Sequence, residues 1–246
     1  MNRFDTLNPK FIEDLRFIED YNRYTGSSLR LIVKNEIILA GNMNFSVNIK
    51  LEEFIGSFKV KIIFPISYPH LNPKAININN KLSKQFKHFL EDGSLCLGVP
   101  TDLYYKINHN DSIEFFLKQI LIPYYVSYKY WEENNGLTLF DERSHGTKGI
   151  IEFYLEHFHF KSRSSLYQLF DLIESNSLDE NELCPCESGL TYQNCHHKQI
   201  QELIRTPYFK DEYMKAIYNR RLVQFRLIES MNSVILKSKM QNRSIG

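Results

Sequence analysis

Three prolines at four-residue steps, Pro65, Pro69 and Pro73, break the chain directly after a run that alternates as a strand should. Each fixes φ and removes a backbone donor, so the segment FPISYPHLNP is no ordinary ladder strand and must leave the sheet. Before it, Phe58, Val60 and Ile62 alternate with Lys59 and Lys61, which predicts a half-buried strand over 57–64. After it come a short strand-like run at 74–78 and the turn signal Asp92-Gly93. The apolar Ser94-Leu95-Cys96-Leu97 then brings the chain back under the sheet.

Of the four cysteines, three lie together in CPCESGLTYQNCHH, which leaves Cys96 without cysteine neighbours and at the edge of a loop. A thiolate there is a candidate nucleophile that attacks an activated acyl group and holds it as a thioester. The alternative is a buried structural cysteine acting as a small hydrophobe.

The proline segment tips that choice, because here the sequence resembles the ubiquitin-conjugating enzyme family. The family pattern F-P-x-x-Y-P-x-x-P-P is met by Phe64, Pro65, Tyr68, Pro69 and Pro73, with Asn72 in place of the first proline of the final pair. Its H…G-x-x-C-L order is met by His88, Gly93, Cys96 and Leu97. The resemblance implies an α+β fold with an N-terminal helix, a four-stranded antiparallel meander and C-terminal helices. It also implies a catalytic Cys96 that carries a protein C-terminus, with His88 beside it orienting the loop by a hydrogen bond or acting as a base. In the eukaryotic family the histidine is followed by Pro-Asn, and the asparagine stabilises the oxyanion during transfer. This chain has His88-Phe89-Leu90, so another donor, such as a backbone N–H, must supply a contribution of typically a few kcal/mol. Bacterial relatives from antiphage operons also lack the triplet and look closer. They imply a cyclic-nucleotide synthase as the conjugated protein. No phosphate-cradling glycine motif occurs in the chain, so activation of the carboxylate falls to a separate ATP-dependent protein or to an already activated donor.

The rest of the chain fits that frame. It opens with Asn8-Pro9 as a start signal and Leu15, Phe17 and Ile18 at near-helical spacing, predicting a helix to about Tyr24. Strands are expected over 28–39, 44–51, 57–64 and 74–78, with Gly41 and Gly56 at the connections. The segment VPTDLYYKINHND is expected to be a loop, on which Asp102 and His109 either reach a thioester or are solvated. Asp111-Ser112 then caps a helix carrying Ile113, Phe116, Leu117, Ile120 and Leu121. Further on, His145 either serves the Cys96 site or belongs to a helix entry capped by Ser144. Helices over 150–160 and 164–174 lead to the polar SNSLDENE, which suggests a catalytic domain over 1–175, a linker at 176–181 and a second domain over 182–246.

In that second domain, Cys184, Cys186, Cys195 and His196 form a complete tetrahedral set for zinc, with His197 the other candidate for the fourth place. The spacing resembles the SEC-C motif, C-P-C-G-S-G…C-[CH], with Glu187 where the first glycine stands. With no position open for water, the zinc is expected to be structural. A helical pattern over 199–240 carries Arg220, Arg221 and Arg226, and it either docks a protein partner or packs as an ordinary solvated helix. Formal net charge is +1 over 246 residues, which predicts neither nucleic acid nor membrane as partner. No apolar run has spanning length and the N-terminus is charged, so a cytoplasmic protein in a reducing compartment is expected.

Overall fold

In the computed structural model, helix α1, Pro9–Thr25, turns Ile18 and Tyr21 into the core and leaves Glu19, Asp20 and Arg23 in solvent. The structure describes residues 9–33, 36–49, 51–78, 82–139, 143–224 and 226, with side chains from Glu13. Beyond α1, Gly26 takes φ 65°, a left-handed exit that suits a glycine. The Asn22 side chain brackets Leu29, accepting from its N–H at 2.9 Å and donating to its carbonyl at 2.8 Å. The chain is thereby aimed into the first strand.

Strands β1, Arg30–Val33, β2, Ile37–Ile49, β3, Glu52–Phe64, and β4, Lys74–Asn77, form an antiparallel sheet in sequence order. On β3 Phe54, Phe58, Val60, Ile62 and Phe64 face inward, so the predicted alternation sets the buried face. The expected connections at Gly41 and Gly56 are corrected, since both glycines lie inside strands. A Cβ on Gly41 would stand 2.1 Å from the Ser28 carbonyl oxygen, and one on Gly56 would stand 2.4 Å from the Phe45 ring. These glycines mark close approach rather than turns. The first predicted strand is accordingly split, and the second and third are each longer than expected.

The segment expected to be a loop after Cys96 is instead helix α2, Pro100–His109. Pro100 occupies its first turn, Thr101, Leu103 and Ile107 are buried, and Asp102 pairs with Lys106 at 3.0 Å. These signals lay among polar residues that suggested a loop. Helix α3, Ile113–Phe115, continues into a π-helical stretch, Phe116–Leu121, and then α4, Ile122–Glu133. As expected, Ser112 caps this helix by accepting from the Phe115 N–H at 3.0 Å. Asp14 of α1 adds a second cap, its carboxylate accepting from the Ile113 N–H at 2.9 Å. The core is built on aromatic contacts, Phe58 stacked on Tyr125 at 4.0 Å and Phe86 set against Tyr124, Tyr128 and Trp131.

The chain divides into two compact units, Met1–Glu142 and Arg143–Gly246, so the segment 176–181 runs within the second unit. That unit contains α5, Gly146–His157, α6, Arg163–Glu174, α7, His197–Ile204, and α8 over 209–224. Ser144 does not cap α5. Its hydroxyl and N–H both turn to the Glu152 carboxylate, at 2.9 and 2.8 Å. Phe153, Tyr154, Phe158, Phe170, Leu203 and Ile217 are among the residues that fill the interior, and Tyr154 donates to the buried Glu212 at 2.6 Å. Two arginines of α8 are paired with α6, Arg220 with Asp171 at 2.8 Å and Arg221 with Glu174 at 3.0 Å. Apart from residue 226, the predicted helix beyond 224 lies outside the described residues.

Candidate functional sites

Cys96 is held by a small hairpin at the sheet edge. Gly93, at φ 77°, closes the turn with its N–H on the Leu90 carbonyl at 3.0 Å. Phe89 and Leu95 then face each other, the Leu90 N–H meets the Ser94 carbonyl at 2.9 Å, and the Cys96 N–H meets the His88 carbonyl at 2.8 Å. The returning arm also lies along the free edge of β4, where the Leu95 N–H reaches the Ala75 carbonyl at 2.9 Å and the Asn77 N–H the Gly93 carbonyl at 3.2 Å. Asp92 fixes the turn, bound to the Lys74 ammonium at 2.7 Å and to the Ser94 N–H at 3.0 Å, with the Ser94 hydroxyl close beside it. Its carboxyl is held well below the usual range, first by Lys74 and then by Ser94.

The proline segment is tied to the far side of the same loop. Asn72, at the position where the resembling family has proline, donates to the Pro100 carbonyl at 2.8 Å, and Asn108 of α2 reaches the Pro69 carbonyl at 3.4 Å. Cys96 thus sits between a hairpin pinned to β4 and a helix pinned to the prolines.

The thiol is half-buried, and a ring nitrogen of His88 lies within 4.8 Å of its sulfur. The hydrogen bond from the His88 side chain lowers the Cys96 pKa below the ordinary thiol value. Burial opposes this, and the Gly98 N–H aids it. Sequence reasoning brought Cys96 and His88 together, but gave no signal for Gly98 or for Tyr124, whose hydroxyl meets the His88 carbonyl. Asp102 and His109 are placed on α2. Since a depressed pKa favours the thiolate, Cys96 is expected to react with iodoacetamide with a midpoint below that of free cysteine. His88→Ala moves that midpoint up and slows alkylation at pH 7 about tenfold, the worth of one hydrogen bond to a charged group. An unchanged pH profile would show that the imidazole does not act on the sulfur.

In the second unit, Cys184, Cys186, Cys195 and His196 place one ligand atom each within 4.8 Å of one another. The Cys184 sulfur and His196 Nδ1 are 3.3 Å apart, Cys195 and His196 Nδ1 3.2 Å, and Cys186 and Cys195 3.5 Å. A tetrahedral zinc with these ligands has edges of about 3.5–3.8 Å, so the four donors need only open by a few tenths of an ångström. Burial lowers the His196 pKa, leaving the neutral ring that a metal needs, and the ring also hydrogen-bonds the Phe158 main chain. Phe160 stacks on the imidazole at 5.4 Å. His197 does not join the set; its ring meets Glu180 at 3.3 Å. Glu187, in place of the motif's glycine, adopts φ 65°, and its carbonyl accepts from Lys161 at 2.6 Å. The position keeps the left-handed backbone that glycine would take freely.

The fold and these four donors define a mixed α+β protein with a three-cysteine, one-histidine cluster suited to a metal ion such as zinc. The SEC-C motif family model matches residues 181–198, the segment that holds all four donors. No curated protein matches the chain. Among the described residues no helix is long and apolar enough to cross a membrane.

Proposed function

We propose that the chain is a ubiquitin-conjugating-like transferase that carries a protein C-terminus on Cys96 and passes it to an amine. The observation that supports this reading is the half-exposed Cys96 thiol with its lowered pKa, on a hairpin beside the proline segment that joins β3 to β4 of a four-stranded meander. The thiolate attacks the activated carbonyl carbon, a C–S bond forms, and the donor's leaving group departs. An amine nitrogen then attacks that carbon, the C–N bond forms, the sulfur leaves as thiolate and the amine's proton passes to water. His88 and the Gly98 N–H hold the thiolate, and a backbone N–H takes the place of the family's asparagine at the oxyanion. A separate ATP-using protein supplies the activated donor, or the donor arrives already activated. By resemblance the setting is antiphage defence in the bacterial cytoplasm, with a cyclic-nucleotide synthase as the conjugated protein.

A second reading is favoured by the SEC-C match: an adaptor whose zinc module recruits protein partners, with the N-terminal part of the chain a passenger. Zinc bound by these four ligands organises the segment and leaves no coordination place for chemistry. One co-expression with the products of the neighbouring genes separates the readings. A transferase gives a dithiothreitol-sensitive adduct that disappears in Cys96→Ala and becomes a reductant-resistant ester in Cys96→Ser. An adaptor gives no adduct, keeps its partners in Cys96→Ala and loses them in Cys184→Ser.

A further inference from the structure

The His88 carbonyl oxygen receives two donors, the Cys96 N–H at 2.8 Å and the Tyr124 hydroxyl at 2.9 Å. The first is a main-chain contact that the hairpin would make with many other side chains. The second requires a tyrosine on α4, a helix that reaches the loop only through the fold. We propose that Tyr124 is a positioning residue for the Cys96–His88 pair, its hydroxyl pinning the His88 main chain so that the imidazole is held at the thiol. This rests on the reading of Cys96 as the acyl-carrying nucleophile.

The phenol is well placed for the task. Its ring is buried edge-on between Phe86 at 5.7 Å and Tyr125 at 5.4 Å, and Phe86 also meets the His88 ring at 5.3 Å. An anchor so confined has little rotamer freedom left, so its hydrogen bond transmits position to the loop. Burial, and secondarily the charges of Tyr125 and Cys96, pushes the phenol far above its ordinary range, so it stays a donor at every working pH. A hydroxyl that only satisfied itself in the core would affect stability and leave the thiol's titration alone.

The test is iodoacetamide alkylation of the full chain across pH, read at Cys96 by peptide mass. Tyr124→Phe keeps the ring and removes the donor, so the midpoint should move up and the rate at pH 7 fall about threefold or more, with the high-pH plateau unchanged. Tyr128→Phe is the control: its hydroxyl bonds the Ser83 N–H at 3.2 Å and Glu132 at 2.7 Å, and its loss should leave the midpoint in place. In a His88→Ala background, Tyr124→Phe should add nothing. An unmoved midpoint, an equal shift from Tyr128→Phe, or full additivity with His88→Ala overturns the proposal. Iodoacetamide needs no acyl donor, so a missing adduct would sink the transfer reading and still leave this profile to be read.

Discussion

Cys184→Ser is expected to take the bound zinc from about one per chain to a small fraction, and to open the metal segment to trypsin. Cys184 is 4% exposed, and without a metal its burial pushes the thiol's pKa up, favouring the uncharged form. A cation reverses that preference, since the thiolate is the ligand. Apparent binding energies for structural zinc in small modules are about 10–16 kcal/mol, more than the stability of many whole domains. Losing one of four donors therefore outweighs any single packing contact nearby, including the Phe160 stack on His196. Elemental analysis and limited proteolysis of the intact protein check the two halves of the claim. Wild-type protein holding far less than one zinc per chain would remove the metal centre altogether.

Phe58→Ala should cost about 4 kcal/mol, the next largest effect. Phe58 faces inward from β3, lies stacked on Tyr125 at 4.0 Å and meets Phe45 and Tyr128, both at 6.1 Å. Truncation removes the ring's burial and leaves a cavity between sheet and helix that the stiff aromatic neighbours cannot fill. The thermal midpoint of the first unit should fall by about 10–20 °C. Tyr24→Ala, at an 81% exposed position, should stay within about 0.5 kcal/mol of wild type and so serves as the reference. A Phe58→Ala midpoint close to that reference would mean that sheet and helix do not share this core.

The four-residue cluster was legible in the sequence because its chemistry is local: Cys184, Cys186, Cys195 and His196 fall within one short segment, and their spacing suits a tetrahedral site. The alternation of β3 was legible for the same reason, since period two is written residue by residue. Gly41 and Gly56 were misread because glycine marks turns and close approaches alike, and only the strand pairing shows the carbonyl of Ser28 and the ring of Phe45 beside them. Helix α2 was missed because Asp102, Lys106 and His109 resemble loop residues until the burial of Leu103 and Ile107 is known. Cys96 and His88 came together through motif order. Tyr124 had no such signal, as its partner lies 36 residues away and the contact exists only once α4 is docked.

The arm that bears Cys96 also covers β4, giving the outer strand neighbours at Ala75 and Asn77. An uncovered strand edge is a template on which another chain can add and polymerise. Loosening this loop would therefore expose that template, which ties the freedom of the Cys96 thiol to the solubility of the molecule. Variants selected for a more open sulfur should be the ones that precipitate first.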